Sequence, residues 1–233
     1  MKKQIKLNTV AIILARGNSI SIKNKNLKKI NNKPLLEWSI NHCKNSKFID
    51  QVWVSSDSKK ILNFSLKKGA RAILRPKKYA KSNSSSEIAW LHAIKYLEKQ
   101  KIIFDTIVAP QATSPIRGRN DFDEALKKFE LNNFDSLFSA SKLRDFFVWK
   151  KKNNLLKANY DFKKRKPRQK IDPIYLENGS FYIFNKNKFK KNTCRMFGNI
   201  GFYIQENYKS FQIDEKNDLI ILEILMKNLS KFK

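Results

Sequence analysis

Apolar positions along the first 140 residues fall into two alternating patterns. Short unbroken runs such as Val10 to Ala15 are too brief for a helix and rich in strand formers, so they predict buried strands. Longer segments repeat their apolar positions every three or four residues. From Pro34 to Lys44, Leu35, Leu36, Trp38, Ile40 and Cys43 recur at helical spacing, with Pro34 suited to a first turn. Gln51 to Ser55 reads as a strand, Ser58 to Lys68 as a helix stopped by Gly69, and Arg71 to Leu74 as a strand. Ser84 to Lys99 carries Ile88, Leu91, Ile94 and Leu97 on one face and Glu87 near its start, which predicts a helix. Thr106 to Ala109, Asp121 to Leu131 and Ser136 to Ala140 continue the series as strand, helix and strand.

Strand and helix in alternation predict an α/β fold, a mostly parallel sheet covered by helices on both faces. Ligands in such sheets collect beyond the carboxyl ends of the strands. The rhythm breaks after Lys142. Residues 142–176 are rich in Lys, Asn and aromatics without a sustained period, and their apolar content predicts an excursion that packs on something, a second subunit being the natural candidate. Asn178 to Phe184 resumes as a strand and Asp218 to Leu229 closes the chain as a helix. There is no internal repeat, and 233 residues with 41% hydrophobic content suit one large domain spanning 1–233.

Charge changes the picture next. A formal net charge of +29 implies attraction to polyanions of every kind, nucleic acids, membranes and nucleotides alike. The lysines are spread along the whole chain without a groove-binding motif, so a specific nucleic-acid partner is not expected. Lys2, Lys3 and Lys6 before Val10 to Ala15 imitate a secretory leader, but the apolar run is about half the usual length and lacks a small-x-small cleavage site. A cytoplasmic protein without a membrane partner is the expectation. Cys43 and Cys194 form no CxxC unit and no Cys/His set at metal-ligand spacing, which predicts two buried free thiols; His42 and His92 read as structural members of helices.

The loops after strands carry the candidate chemistry. The first, after Val10 to Ala15, has one glycine, Gly17, and so fits neither a P-loop nor a Rossmann turn. Arg16, Ser19, Lys23, Lys25 and Asn26 could hold a triphosphate there, or form a solvated basic turn.

The stretch LARGNSISIKNKNLKKINNKPLL, residues 14–36, resembles the signature loop of the acylneuraminate cytidylyltransferases, the CMP-sialic acid synthetases. Five later segments resemble that family's motifs in the same order. They are SSD at 55–57, LRPKKYAKSNSSS at 74–86, PQATSPIR at 110–117, KPRQKIDPIYLENGSFYI at 166–183 and SFQIDEKNDL at 210–219. Together they span about residues 8–225, and six in register are far more specific than any one alone.

The resemblance implies a Rossmann-like nucleotidyltransferase fold and a reaction in which CTP and a nine-carbon acidic sugar yield a CMP-sugar and pyrophosphate, with Mg2+ as cofactor. It implies that Arg16, Lys25 and Asp214 act in catalysis, with Asp214 also the metal ligand. Ala15, Ser19, Lys23, Asn26, Arg75 and Ser86 then contact the nucleotide, and Gln111 touches the sugar or the ribose. Arg168 clamps the sugar carboxylate, while Asn178 and Tyr182 line the sugar pocket. The family's homodimer would use the excursion at 142–176.

Departures from the pattern bear on chemistry. Ile20 stands where a phosphate-binding Lys is usual and Ser21 where Gly is, so Lys23 is expected to replace the lost charge. Gln212 replaces the first aspartate of a metal-binding pair, and a neutral amide binds a divalent cation more weakly than a carboxylate. Ala112 and the Ser82-Asn83 pair replace a common Pro and Asp-Thr. Asp57 is either a second metal or water ligand or a strand-end cap. Arg195 and Met196 stand where aromatics are common, which implies a sugar pocket of altered character. An inactive relative and an enzyme for an eight-carbon acid such as KDO are the competing readings.

Overall fold

Val10 and Ile12 point to one side of the first strand and Ala11 and Ile13 to the other, all fully or nearly fully buried. A strand with two apolar faces must be covered twice, and this decides the architecture. The computed structural model describes residues 8–19, 21–143 and 147–232, apart from the side chains of Arg168 and Phe232.

In chain order the parallel half comprises β1 (Thr9–Leu14), a small hairpin of β2 (Lys29–Ile30) and β3 (Lys33–Pro34), α1 (Leu35–Lys44), β4 (Gln51–Ser56), α2 (Lys59–Lys67), β5 (Arg71–Leu74), α3 (Ser86–Lys99) and β6 (Thr106–Pro110). Then follow α4 (Asp121–Leu131), β7 (Ser136–Lys142), the hairpin β8 (Trp149–Lys152) and β9 (Leu155–Ala158), β10 (Tyr175–Asn185), α5 (Lys186–Asn192), β11 (Ile200–Gln205) and α6 (Lys216–Lys227). The main sheet runs β11-β7-β10-β6-β1-β4-β5. Only β10 is antiparallel to its neighbours.

One face packs Leu36, Ile40 and Cys43 of α1 with Phe122, Leu126 and Phe129 of α4. The opposite face packs Trp90, Ile94 and Leu97 of α3 with Phe189 of α5. Trp90 is the centre of this second layer, with edge-on contacts to Tyr182, Phe184 and Phe189. A third cluster joins Ile22 and Ile30 to Ile213, Leu222 and Met226, so α6 anchors the loop that follows β1.

The expected elements of the first 140 residues are all present, with ends shifted by a residue or two. Ser58 caps α2 by accepting from the Ile61 N–H, and Gly69 ends it at φ +79°. Four features lay outside the expectation: the β2–β3 hairpin, α5, edge strand β11, and the β8–β9 hairpin within the excursion. The hairpins have a local cause. Asn153 and Asn154 both take positive φ, 48° and 63°, as a two-residue turn of this hand requires, and Asn31 and Asn32 do the same between β2 and β3.

Cys43 is buried, which pushes its thiol pKa up to about 12. Cys194 is exposed, and the expectation that both thiols are buried fails there because it falls in the turn after α5, where Thr193 takes a left-handed conformation. His42 packs against the Pro115 carbonyl; burial and then the Arg117 charge lower its pKa to about 4, so it is neutral at physiological pH. Among the described residues no helix is long and apolar enough to cross a membrane.

Candidate active site

The chain leaves β1, visits β4 and β5 on one side, then crosses back to lay β6 on the other side of β1. Strand order therefore reverses between β1 and β6, and their diverging carboxyl ends open a crevice. A bridge between Leu14 and Gln111 marks the last pairing before the two segments separate. A cavity of about 540 Å³ lies there.

Four segments far apart in sequence form its walls. The loop after β1 contributes Arg16, Ser19, Lys25 and Asn26. The loop after β5 contributes Arg75, Tyr79 and Lys81, and leads into Ser85 and Ser86 at the start of α3. Gln111, Ala112 and Thr113 follow β6, while Glu177, Gly179 and Tyr182 come from β10. Gln212 and Asp214, just before α6, close the rim. Because β10 is antiparallel, its beginning, not its end, reaches the carboxyl edge of β6.

The cations are held by backbone and side-chain contacts. The Asn26 amide donates to the Arg16 carbonyl at 3.0 Å, and the Asp57 carboxylate accepts from the Gly17 N–H at 2.8 Å, so the turn after β1 is pinned from both sides. That contact makes Asp57 a fixer of the loop. Lys25 Nζ donates to the Ile213 carbonyl at 2.6 Å and lies 3.5 Å from Asp214, whose side chain is 75% exposed. Arg75 is 5% exposed, its N–H donates to the Ser56 carbonyl, and its buried Nε has no partner. Burial lowers the Arg75 pKa, with Asp57 opposing and Arg16 adding to the shift. Two guanidiniums that destabilise each other at a cavity wall are relieved by an anion between them. The amino end of the fourteen-residue helix α3 adds partial positive charge to the same wall.

Of the residues expected at the site, Arg16, Ser19, Lys25, Asn26, Arg75, Ser86, Gln111, Tyr182 and Asp214 line this one cavity. Ala15 sits behind it, fully buried, with its N–H donating to the Ser55 carbonyl, which leaves only its carbonyl for a ligand. Lys23 is exposed and does not line the cavity. Ile20 lies outside the described residues. Lys81, on the facing wall, is the additional cation that sequence reasoning passed over among so many lysines.

Asn178 does not line the cavity either. It is 2% exposed, its Oδ1 accepts from Ser139 Oγ and the Ser180 N–H, and its Nδ2 donates to Gln205 and Ser210. Its amide is fully used in holding β10. Gly179 beside it takes φ +63°, and a Cβ there would sit 2.6 Å from Gln212 Nε2, so both conformation and space demand glycine. Arg168 opens a short turn, Arg168–Lys170, and its side chain lies outside the described residues. His92 stays structural: it packs on Tyr79, and burial followed by the Arg75 charge lowers its pKa.

A doubly wound sheet that gathers guanidinium, ammonium and a helix amino end at its switch point is built to grip a nucleoside polyphosphate, as nucleotidyltransferases do. The particular family follows from the sequence. Residues 10–232 match the cytidylyltransferase family, and the chain belongs to it. It is 30% identical to a pseudaminic acid cytidylyltransferase of Campylobacter jejuni, over 95% of this chain and 97% of that protein. It is 35% identical to an N-acylneuraminate cytidylyltransferase of Oncorhynchus mykiss, over 78% of this chain but 42% of that longer protein. A solved CMP:2-keto-3-deoxy-manno-octonic acid synthetase complexed with CTP shares the fold, with a TM-score of 0.71 and 14% identity, over 95% of this chain and 99% of that one.

Proposed function

We propose that the protein transfers CMP from CTP to a nine-carbon acidic sugar and releases pyrophosphate. The observation that carries this reading is the convergence of Arg16, Lys25 and Arg75 on the cavity at the switch point, in a chain of the cytidylyltransferase family. The sugar's anomeric hydroxyl attacks the α-phosphorus in line. A new P–O bond forms as the bond to the β-phosphate breaks, the electron pair leaves with pyrophosphate, and the hydroxyl proton passes to water. Arg16, Arg75 and Lys81 neutralise the triphosphate as charge moves onto the leaving group, and Lys25 holds Asp214 at the rim. Ser19, Ser86 and Gln111 supply neutral hydrogen-bonding groups along the same walls. Arg168 remains the proposed clamp for the sugar carboxylate.

Magnesium is part of the proposal, and the donor set bounds how it binds. Among the described residues no three His, Cys, Asp or Glu side chains gather at one point. Asp214 offers one exposed carboxylate, and Gln212, whose Nε2 donates to the Asn178 carbonyl at 2.5 Å, offers its amide oxygen. That set fits a magnesium ion that takes most of its oxygens from substrate and water. When bound, it would screen phosphate charge.

The decisive experiment measures pyrophosphate release from CTP, with magnesium, across sialic-, legionaminic- and pseudaminic-type acids and the eight-carbon KDO. Turnover with a nine-carbon acid and a preference for CTP over the other three nucleotides are expected. Release with none of the acids, or only with KDO, would sink the reading.

The homodimer belongs to this proposal as well. Support comes from exposed apolar side chains on the excursion and the adjoining sheet edge: Leu155 and Leu156 on β9, Tyr175 and Leu176 on β10, and Ile200 and Ile204 on β11. Exposed apolar side chains in such number on neighbouring strands are normally covered. Light scattering at micromolar concentration should return twice the 27.4 kDa chain mass, and a monomer would exclude this mode of association. A cytoplasmic location, where CTP is available, is the matching proposal for where the reaction runs.

A further inference from the structure

Two residues five apart in a regular strand lie on opposite faces. Glu177 and Tyr182 of β10 nevertheless share a face, and the reason is a bulge. Glu177 pairs with Ala140 of β7 and Tyr182 with Phe138, so five steps on β10 match only two on its neighbour. Ala140 and Phe138 lie on the same side of β7, and their partners therefore do as well. The Asn178 amide, bonded to Ser139, Gln205 and Ser210, holds this bulge shut, and left-handed Gly179 makes it possible.

The bulge thus brings a second carboxylate, besides Asp214 at the rim, to a cavity that also holds Arg16, Lys25, Arg75 and Lys81. Tyr182 Oη donates to Glu177 Oε1 at 2.5 Å, and both side chains face the cavity. On its other side the Tyr182 ring is covered by the Arg195 guanidinium, 4.9 Å from the ring centre, and Arg195 is tied to Glu87 at 2.7 Å. Tyr182 is therefore fixed, and through it the position of Glu177. Among the described residues no Lys or Arg forms an ion pair with Glu177, so its remaining lone pairs are open to a ligand.

We propose that Glu177 is a sugar-recognition residue of this site: it accepts hydrogen bonds from hydroxyl or amide N–H donors of the sugar and turns the sugar's own carboxylate away from β10. The inference rests on the reading of the site as a sugar cytidylyltransferase. A bound triphosphate and a carboxylated sugar are both anionic, so a free carboxylate among their contacts is costly unless it meets donors. It meets them on the polyol or acylamino side of the sugar. The same charge repels any pose that places the sugar carboxylate against β10, which fixes orientation by exclusion.

The test is steady-state kinetics of E177Q and E177A with the best nine-carbon acid found for the wild type. E177Q keeps an acceptor for Tyr182 and the shape of the side chain but removes the charge. The expected result is a sugar KM raised about tenfold in E177Q and further in E177A, as the loss of a charge-assisted hydrogen bond predicts. The CTP KM and kcat should stay within about twofold, and an unchanged thermal midpoint would show that the bulge survives. A sugar KM unmoved in both variants would overturn the proposal. So would a kcat lowered about a hundredfold with the sugar KM unmoved and the acidic limb of the pH profile lost, since Glu177 would then be the proton acceptor of the chemical step. A wild type that turns over no acidic sugar overturns the enzymatic reading together with this one; an active wild type matched by its variants overturns this one alone.

Discussion

Replacing Lys25 with Met should lower kcat/KM for CTP by about two orders of magnitude, which corresponds to roughly 2.7 kcal/mol of lost transition-state stabilisation. Two effects combine in that figure. The ammonium is one of the positive charges on the cavity wall, where low dielectric makes each charge count for more than in water. It is also the tie between the loop after β1 and the segment before α6, through the Ile213 carbonyl at 2.6 Å and Asp214 at 3.5 Å. Without it, Asp214 loses the only basic side chain within ion-pair distance among the described residues, and the rim that should hold magnesium loosens. Lys25→Arg keeps the charge but not the compact point geometry that reaches a buried-side carbonyl, so it should recover only part of the loss. Initial rates of pyrophosphate release against CTP concentration check this. A decrease below about fivefold, in a protein with unchanged thermal midpoint, would place Lys25 outside the triphosphate's reach.

The second large effect concerns stability. Arg117→Met should destabilise the fold by about 3 kcal/mol and lower the melting midpoint by roughly 6–12 °C in a chain of this size. Arg117 is 6% exposed and has no carboxylate within ion-pair distance among the described residues. Its guanidinium donates to the Ser180 carbonyl at 2.6 Å, the Gln111 carbonyl at 2.8 Å and Ser39 Oγ at 3.1 Å, and it lies over the Phe122 ring. Burial lowers its pKa to about 10, which still leaves it charged at any physiological pH. One fork thus joins α1, the loop after β6 and the middle of β10, and the last two of these elements contribute to the cavity lining. A buried charge is costly in itself, and exchange of a whole ion pair for apolar groups is often neutral. Here two of the three partners are backbone carbonyls that no substitution removes; each keeps one backbone donor, the Ser114 N–H on Gln111 at 3.2 Å and the Gln111 N–H on Ser180 at 3.0 Å, so Met removes the charge-assisted bonds and leaves one lone pair of each unfilled. Lys cannot span the three acceptors, and Arg117→Lys should rescue little. Thermal unfolding decides the matter, and a midpoint within about 3 °C of the wild type would show that the surrounding layers, not this fork, hold the junction.

Much of this was legible in the sequence because it is local. Apolar runs and helical spacing identify the elements of the first 140 residues, since each buries its own face whatever its neighbours are. The Asn-Asn turns were legible too, at residues 31–32 and 153–154, had the left-handed tolerance of asparagine been weighed. β11 and α5 were harder. β11 is an edge strand with Ile200 and Ile204 exposed, so it lacks the buried alternation that marks a strand, and α5 is a seven-residue helix with one fully buried apolar anchor, Phe189.

The candidate site divides along the same line. Residue type and order along the chain determined that Arg16, Lys25, Arg75, Gln111, Tyr182 and Asp214 were the groups to examine, because charge and hydrogen-bonding capacity belong to a side chain wherever it lies. Direction does not. Only the tertiary structure decided that Lys23 lies off the cavity while Lys81 lines it, that the Asn178 amide is spent inside the sheet, and that a bulge sets Glu177 beside Tyr182. Those outcomes depend on strand register and on which buried groups must satisfy one another across more than 30 intervening residues, as Asn178 does with Ser139. No local pattern encodes them, because their cause is the packing of segments that meet only when the sheet closes.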